Sequence, residues 1–442
     1  MAATVATSAV SASVLNGRWM GQLAVSPMAK LRIALNVSEA DGVAKVTMDS
    51  PDQGAYGIAT ECNFLSDDSL NVSVRQLGVV IAGKFNEGRM VGKFTQRGLS
   101  LPIEFEREEV AASRPQTPKA PFPYQTKEVK ITNANAGCEL AGTLTIPDKP
   151  AEGKPGVVLV SGSGLQNRDE ELFGHKPFAV LADALARRGI ATLRYDDRGC
   201  GESSGDGKAA TTADFAEDAR MAVEVLRNSG AVETVGIVGH SEGASVAFIN
   251  AASCDCTDFV VGIGASALRG DSVLVAQSAD ALRDAGVAED VIKEYSEALY
   301  KLYAEITANG YPENPKAFVD GICDGWQSSL VKSQLAANIT KIASEENKWL
   351  KYFAGYSPTE DVRKARCRSL VIYGSKDCQV SPQLHADVMR RNLANGEVIE
   401  VDGLNHLMQH CKTGKVAEYA EIEETMAQEV IDAIAEFILK QK

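Results

Sequence analysis

The segment Val235-Gly236-Ile237-Val238-Gly239-His240-Ser241-Glu242-Gly243-Ala244-Ser245 sets the fold class of this 442-residue chain. Its first four residues are apolar or small and predict a short buried strand, and residues 242–252 predict the helix that follows. Between them, Gly239-His240-Ser241-Glu242-Gly243 fits the pattern G-x-S-x-G. A serine on a sharp strand-to-helix turn needs neighbours without side chains, so that the strand and the helix can approach each other. We therefore predict a nucleophile elbow, with Ser241 exposed at the carboxyl edge of a sheet.

The chain on either side of this segment alternates between apolar runs and helical stretches. Apolar runs at 156–160, 190–195, 259–263, 370–373 and 398–401 predict strands, and an edge hairpin is predicted from 128–132 and 139–146. Helices are predicted at 176–188, 212–228, 382–392 and near the C-terminus, where Thr425 and Gln428 suggest a capping box. Near-continuous apolar strands separated by helices are typical of a parallel sheet covered on both faces. Residues 125–442 are therefore predicted to form one doubly wound, mainly parallel α/β domain.

Residues 266–366 separate two predicted strands by far more chain than a crossover needs, so they are predicted to form a helical lid. Apolar residues from Val291 to Ile306 recur at helical spacing, which is typical of the core of such a lid. A second group of aromatic residues is expected to pack within the lid, and a wall over Ser241 is the alternative for it. This group comprises Trp349, Tyr352, Phe353 and Tyr356.

The front of the chain has a different periodicity. From Gly17 to Glu108 apolar residues alternate with others, and turn signals such as Asp41-Gly42 and Ser66-Asp67-Asp68 interrupt them. Short strands at this spacing predict a small antiparallel, barrel-like β domain over residues 1–110, with Trp19 at its base. Four prolines fall within 111–124, where they remove hydrogen-bond donors and stiffen the chain, so this stretch is predicted to be a linker.

A serine hydroxyl is a poor nucleophile at neutral pH and needs a base, which an acid holds in the right tautomer. Behind a nucleophile elbow, the acid and then the histidine follow the serine along the chain. Asp377 comes just past one predicted strand and His406 just past the next, so both are expected at the carboxyl edge. His385 lies in a predicted helix and His410 about one turn beyond His406, so packing or surface roles are expected for them. The predicted triad is Ser241, Asp377 and His406.

An oxyanion hole needs two backbone N–H groups that point at the developing negative oxygen. One is expected from Glu242, directly after the serine. The other is expected from the glycine-rich loop 161–164, from Ser163 first and from Gly164 as the alternative. A phosphate-binding loop is disfavoured because no Lys-Ser or Lys-Thr follows and the G-x-G-x-x-G spacing is absent. The charged residues expected to pin this loop structurally are Arg168, Asp169, Asp197 and Arg198.

The composition limits the partners of the chain. A formal net charge of -14 argues against nucleic acid or an anionic membrane surface, which need concentrated Lys and Arg. No apolar run approaches the roughly 20 residues of a membrane span.

The nine cysteines are scattered, with no CxxC pair or zinc-finger spacing, so no metal site is predicted. Cys254-Asp255-Cys256 is left open as a metal or redox pair. Residues 1–15 lack basic side chains and are not expected to be a signal peptide, the trimmed start of an exported protein being the alternative.

Five segments carry these features in a fixed order along the chain. They are residues 161–170, Asp196-Asp197-Arg198-Gly199, Gly239-His240-Ser241-Glu242-Gly243, residues 374–380 and Leu404-Asn405-His406. As an ordered set they resemble the α/β-hydrolase superfamily, and more closely the bacterial EstD-like serine esterases. The front segment, with Trp19 and Ser50-Pro51-Asp52-Gln53-Gly54, is similar to the β-rich module that precedes some of these esterases. The resemblance implies hydrolysis of short-chain carboxylic esters through an acyl-enzyme on Ser241, without a cofactor. Leu165 and Cys378 depart from the family pattern, which leaves the shape of the acyl pocket open.

These residues are compatible with three functions. The favoured one is a serine hydrolase acting on a small-molecule ester. A serine peptidase or acyltransferase of the same fold is the second, since one triad serves several acyl chemistries, and a non-catalytic carbohydrate- or lipid-binding protein is the third. An ester needs less activation of its leaving group than a peptide does, and the sequence shows no acidic pattern that would indicate recognition of a peptide. A homodimer is left open, as is the compartment, which is periplasmic or secreted if a leader was removed and cytoplasmic otherwise.

Overall fold

A computed structural model describes residues 17–26, 29–40, 43–53, 55–65, 69–86, 88–108, 114–326 and 329–440. The predictions for residues 1–15 and for the turns at Asp41-Gly42 and Ser66-Asp67-Asp68 lie outside these ranges. The chain divides into two compact units, Met1–Ser113 and Arg114–Lys442, and each is described by itself.

The first unit is built on one antiparallel sheet. Its order is β4-β3-β2-β1-β9-β8-β7-β6-β5, and every neighbouring pair is antiparallel. Apolar side chains on one face form its core, in which the Trp19 and Phe85 rings meet edge to face at 4.9 Å. The predicted antiparallel β module is therefore confirmed. The strands are β1 (Gly17–Ser26), β2 (Ala29–Ala40), β3 (Val43–Ser50), β4 (Ala55–Ala59), β5 (Glu61–Leu65), β6 (Ser69–Val74), β7 (Val79–Asn86), β8 (Arg89–Gln96) and β9 (Leu99–Arg107).

The second unit contains an eight-stranded mixed sheet in the order β10-β11-β13-β12-β14-β15-β16-β17. β10, β11 and β13 pair antiparallel, and all pairs from β13 to β17 are parallel. The predicted doubly wound, mainly parallel sheet is confirmed. The strands are β10 (Tyr124–Asn133), β11 (Cys138–Pro147), β12 (Pro155–Val160), β13 (Ala191–Tyr195), β14 (Thr234–His240), β15 (Phe259–Ile263), β16 (Arg368–Gly374) and β17 (Gly396–Val401).

Helices cover both faces of this sheet. Apolar residues of α2, α3, α9 and α10 pack in one core, and those of α1 and α11 pack in the other. α11 begins at Gln428 with Ala427 as its N-cap, so the predicted capping box with Thr425 as the N-cap was wrong. The Thr425 hydroxyl instead lies 3.0 Å from Nδ1 of His175. The helices are α1 (Pro177–Ala186), α2 (Thr212–Arg227), α3 (Glu242–Ser253), α4 (Gly270–Asp284), α5 (Glu289–Ala308), α6 (Pro315–Ile322), α7 (Leu330–Ser344), α8 (Lys348–Gly355), α9 (Thr359–Lys364), α10 (Pro382–Asn392) and α11 (Gln428–Leu439).

Six of these helices, α4 to α9, occupy the chain between β15 and β16, and we refer to them as the inserted helices. Five of them, α4 to α8, share an apolar core of their own, centred on the buried face of α5, whereas α9 packs in a core of the sheet. The residues of that face are Ile292, Tyr295, Ala298, Leu299, Leu302, Tyr303 and Ile306. The helical spacing seen between Val291 and Ile306 thus corresponds to one buried helix face.

The part of 111–124 that the structure describes is tied to the second unit. The Arg114 guanidinium donates hydrogen bonds to the carbonyl oxygens of Ile422, Ala420 and Phe173 at 2.6, 2.7 and 2.9 Å. Gln116 donates to the carbonyl oxygen of Met426 at 2.7 Å. From Arg114 onward this proline-rich stretch is therefore anchored rather than free.

Three further observations concern the cysteines, metal ions and membranes considered from composition. Cys254 and Cys256 form a disulfide. Across the described ranges, no cluster of three or more His, Cys, Asp or Glu side chains could hold a metal ion. Those same ranges contain no helix with both the length and the apolar character to cross a membrane.

Candidate active site

Ser241 lies on the turn between β14 and α3, in a strained backbone conformation with φ 54° and ψ -114°. Its backbone N–H donates to the carbonyl oxygen of Ile263 on the neighbouring strand at 2.8 Å, which holds the turn against β15. The backbone of neighbouring segments approaches both flanking positions so closely that each must be a glycine. A Cβ on Gly239 would lie 2.1 Å from the Gly243 carbonyl oxygen, and one on Gly243 would lie 2.1 Å from the Val160 carbonyl oxygen. This geometry is that of a nucleophile elbow.

Asp377 follows β16 and His406 follows β17, and the two side chains meet. Nδ1 of His406 lies 2.6 Å from Oδ2 of Asp377, and both side chains are almost completely buried. Oδ1 of Asp377 accepts the backbone N–H groups of Gln379 and Val380, both at 2.8 Å. Burial alone would raise the pKa of Asp377, but the charge and hydrogen bond of His406 and the two N–H groups lower that pKa below its usual value. The carboxylate is therefore held in one position and ionised beside the imidazole.

A cavity of about 270 Å³ lies at this end of the sheet, and both Ser241 and His406 line it. Nε2 of His406, the ring nitrogen opposite the Asp377 contact, makes no hydrogen bond with any residue that the structure describes. That nitrogen is therefore available to a hydroxyl or a substrate. The structure thus brings Ser241 and His406 of the predicted triad to one cavity, and Asp377 contacts the imidazole of His406.

The loop after β12 lies directly against the elbow. A Cβ on Gly162 would come within 3.2 Å of the Ser241 Cβ, so this glycine permits the close approach. Ser163 and Glu242 line the cavity, and within the described part of the chain their backbone N–H groups donate to no other group. Gly164, the alternative donor, lines a neighbouring cavity instead. Among the described residues both N–H groups are therefore unpartnered beside the cavity, and their role as an oxyanion hole stays a prediction.

The Glu242 side chain joins four parts of the unit. Its Oε1 accepts the Thr212 hydroxyl of α2 at 2.6 Å and the Trp349 indole N–H of α8 at 2.8 Å. Its Oε2 accepts the Ser163 hydroxyl at 2.7 Å. Because Glu242 directly follows Ser241, these bonds tie the elbow to the glycine-rich loop and to the inserted helices.

His240, directly before the serine, bridges two catalytic segments. Its Nδ1 lies 2.9 Å from Oε1 of Glu170 and its Nε2 lies 3.0 Å from the carbonyl oxygen of His406. Oε1 of Glu170 also accepts the backbone N–H of Gly162 at 2.8 Å. Burial would lower the pKa of His240, but the charge and hydrogen bond of Glu170 raise that pKa above its usual value. A ring that faces a carboxylate and a carbonyl donates from both nitrogens, so His240 fits the imidazolium form.

Charged residues hold residues 161–170 in place. Arg168 pairs with Asp196 at 2.9 Å and also donates its backbone N–H to that carboxylate at 2.7 Å. Asp197 accepts a backbone N–H of the loop at 2.9 Å, and burial, with nearby negative charge, raises the pKa of Asp197 to about 8. Arg198 instead pairs with Asp218 of α2 at 2.6 Å. The predicted role in pinning the loop was therefore wrong for Arg198.

The other two histidines that follow the serine lie away from the cavity. Nδ1 of His385 is buried and accepts the backbone N–H of Ala267 at 2.9 Å, and burial lowers the pKa of His385 to about 4. His410 lies at the surface and pairs with Glu424 and Glu429 at 2.9 and 3.0 Å.

Three side chains around the site are not predicted from the sequence. The sequence predicts no role for Glu170, none for His240 beyond adjoining the serine, and ordinary packing for Trp349, with a wall over Ser241 as the alternative. In the structure Glu170 pairs with His240, and Trp349 and Phe353 line the cavity. No local pattern signals these contacts, since 70 and 107 positions separate the bonded partners.

Comparison with known proteins identifies sequences that this chain resembles. A sequence model described as the alpha/beta hydrolase family matches residues 157–418. Esterase EstD of Thermotoga maritima is 30% identical over 158 residues, which cover 36% of this chain and 34% of that esterase. The chain thus spans about a third of the length of the curated relative that it matches. The resemblance predicted from the five segments is confirmed.

Two solved structures match the chain at low sequence identity. The proline iminopeptidase of Mycobacterium smegmatis is 16% identical, with a TM-score of 0.43, and the match covers 71% of this chain and 98% of that chain. An esterase of Pyrococcus furiosus is 15% identical, with a TM-score of 0.43, and the match covers 75% of this chain and 98% of that chain.

Proposed function

This chain belongs to the alpha/beta hydrolase family, and we propose that within it the protein hydrolyses short-chain carboxylic esters through an acyl-enzyme on Ser241. The observation that carries the proposal is the contact of 2.6 Å between His406 and Asp377 beside the cavity that Ser241 lines. The likeness to an esterase over part of the chain supports the same chemistry.

The mechanism follows from the positions of these groups. The Ser241 hydroxyl attacks the ester carbonyl while Nε2 of His406 accepts its proton, and Asp377 holds the imidazole in the reactive tautomer and stabilises its positive charge. The backbone N–H groups of Ser163 and Glu242 donate to the oxyanion of the tetrahedral intermediate. The intermediate collapses as His406 returns the proton to the departing alcohol. Water then attacks the acyl carbonyl while His406 accepts its proton, and the bond to Ser241 breaks as His406 returns that proton to the serine oxygen, which releases the acid.

The size and lining of the cavity support a small substrate. At about 270 Å³ it lies just below the range of roughly 300–1,000 Å³ that is usual for drug-sized ligands. Apolar side chains form much of its wall, and an ester with a short acyl chain matches that character. These side chains include Leu172, Val273, Leu274, Phe353 and Leu407.

A peptidase is less well supported by the charges in the cavity. A peptide with a free amino end would need an unoccupied carboxylate to receive its ammonium group. Among the described residues that line the cavity, the acidic ones are Glu170 and Glu242. Glu170 is paired with His240, and Glu242 already accepts two hydroxyls and an indole N–H. The site therefore fits a neutral ester better than a charged peptide end.

The proposal is tested by the turnover of p-nitrophenyl esters from acetate to octanoate. We expect the wild type to favour the short chains and Ser241→Ala to lose at least about 10³-fold in kcat/KM. Ser253→Ala, at the other end of α3, is the matched control and should keep wild-type rates. Equal turnover by the wild type and Ser241→Ala would overturn the proposal, as would faster cleavage of a peptide than of any ester.

A further inference from the structure

A second cavity, of about 210 Å³, lies beside the one at Ser241. We call it the side cavity. Much of its wall is apolar, and two polar residues also line it. The residues that line this cavity are Leu165, Ala210, Phe215 and Trp349, two glycines at 164 and 207, and the polar residues Lys208 and Asn347.

The indole of Trp349 lines both cavities, so it stands between them. The loop after β12 completes the division, because Gly162 and Ser163 face the Ser241 cavity while Gly164 and Leu165 face the side cavity. Trp349 and the loop residues 162–165 therefore separate the Ser241 cavity from the side cavity.

Two contacts hold the indole in this position. Its N–H donates to Oε1 of Glu242 at 2.8 Å, and its ring stacks on Phe353 with centroids 4.8 Å apart and planes 16° from parallel. Glu242 is itself buried and fixed by the hydroxyls of Thr212 and Ser163. The indole is therefore held by the residue that directly follows the nucleophile, and it is not free to swing aside without breaking that bond.

We propose that Trp349 sets the chain-length limit of the substrate by closing the Ser241 cavity off from the side cavity. This inference rests on the proposed ester hydrolysis at Ser241. The ligand that the side cavity would take is the continuation of a linear alkyl chain, because its wall is mainly apolar. With Trp349 in place, a chain that outgrows the Ser241 cavity meets the indole, and shortening residue 349 joins the two spaces.

The test compares kcat/KM for octyl-length and short substrates in two series. One series varies the acyl chain, from p-nitrophenyl acetate to octanoate, and the other varies the alcohol, from ethyl to octyl acetate. We expect Trp349→Ala to raise the long-to-short ratio about tenfold or more in one series, which identifies the part of the ester that approaches the indole. Trp349→Phe keeps an aromatic wall and should stay closer to the wild-type ratio. An unchanged ratio in both series would overturn the inference.

Tyr352→Ala is the matched control, since Tyr352 lies on the same helix, stacks on Tyr356 and lines neither cavity. We expect it to leave the ratio at the wild-type value. If Tyr352→Ala raised the ratio as much as Trp349→Ala, general loosening of α8 would explain the effect and the inference would fall. Thermal unfolding of each variant shows whether it is folded.

A readout without turnover separates this inference from the proposed function. Alkyl phosphonate esters with ethyl and octyl chains should label Ser241, and mass spectrometry gives the two labelling rates. We expect the octyl-to-ethyl rate ratio to rise in Trp349→Ala relative to the wild type. If no ester is turned over but this ratio rises, the proposed function fails and the role of Trp349 stands. If esters are turned over and neither ratio changes, only the role of Trp349 fails.

Discussion

At the scale of single residues, the site depends on groups whose protonation is set by their immediate neighbours. Asp377 receives two backbone N–H groups and one imidazole N–H, so its carboxylate cannot turn away from His406 without losing all three. The His240 ring faces the Glu170 carboxylate on one side and the His406 carbonyl oxygen on the other. Asp377 and His240 therefore both contact His406, Asp377 at the imidazole ring and His240 at the backbone carbonyl.

Replacing Asp377 by Asn should impair catalysis without unfolding the chain. An amide at this position favours the wrong tautomer of His406 and cannot stabilise its positive charge, so we expect kcat to fall by about 10⁴-fold. Ester turnover and circular dichroism measure the two effects. Asp402→Asn is the matched control, an exposed aspartate just past β17 that should keep the wild-type kcat. A loss of less than tenfold for Asp377→Asn would rule out its role as the orienting acid.

The His240–Glu170 pair should make stability depend on pH in a defined direction. Because the pKa of His240 is raised in the folded chain, its stabilisation is complete below about pH 6.5 and is lost as the pH rises through that raised pKa. Glu170→Gln should therefore cost about 3 kcal/mol of unfolding free energy at pH 6 and less at higher pH. Denaturant unfolding across that pH range measures the difference.

Glu171→Gln serves as the control for that series, since the exposed Glu171 side chain makes only long surface contacts, with Lys176 and the Asn167 amide, both at 3.4 Å. We expect it to change the unfolding free energy by less than about 0.5 kcal/mol at every pH. A destabilisation by Glu170→Gln that grew with rising pH would contradict the assigned charge state of His240.

The sequence predicted the positions of Asp377 and His406 at one edge of the sheet but not the residues that hold their side chains. Asp377 and His406 each follow a strand of a parallel sheet, and such strand ends meet at one edge whatever the helices do. The partner of His240 depends on how the loop after β12 folds back, with Glu170 in a left-handed conformation of φ 51°. Nothing in the residues around Glu170 specifies that turn.

At the scale of elements, the elbow shows how closely a strand and a helix can approach. Gly239→Ala would place a methyl carbon 2.1 Å from the Gly243 carbonyl oxygen, which forces β14 and α3 apart. We expect it to lower the unfolding free energy by about 3 kcal/mol or more, as overpacking against a rigid backbone does. Thermal unfolding measures the loss.

Gly321→Ala is the control for that substitution, because a Cβ at this helical position in α6 meets no atom within 4 Å. It should be neutral or stabilise the chain by up to about 1 kcal/mol, the helix propensity difference between the two residues. Similar behaviour of the two variants would mean that close packing at the elbow does not require a glycine.

The sequence predicted the bounds of a helix correctly where the local residue pattern is strong. It did not predict features that depend on contacts between residues far apart in the chain. The helix predicted at 382–392 has these bounds in the structure. The start of α11 was misplaced because the Thr425 hydroxyl contacts His175, 250 positions away, instead of capping the helix. The position of α8 over the cavity depends on the bond between Trp349 and Glu242, which no hydrophobic period reveals.

At the scale of the whole molecule, the two units have separate cores. The core of the first draws on residues between Trp19 and Phe105, and the cores of the second draw only on residues from Ile131 onward. The fragment 114–442 keeps the Arg114 anchor and all residues of the site. We expect it to fold alone and to keep kcat/KM for short esters within about twofold of the full chain, since a unit with its own core can fold by itself. An insoluble or inactive fragment would show that the first unit is needed for the second.

Phosphonate modification of the full chain tests the role of Ser241 most directly. A p-nitrophenyl ethylphosphonate should add one phosphonyl group per chain, located on Ser241 by peptide mass spectrometry, and ester turnover should fall in proportion to the fraction modified. Turnover that persists after Ser241 is fully modified, or turnover that is lost with the label on another residue, would contradict the account.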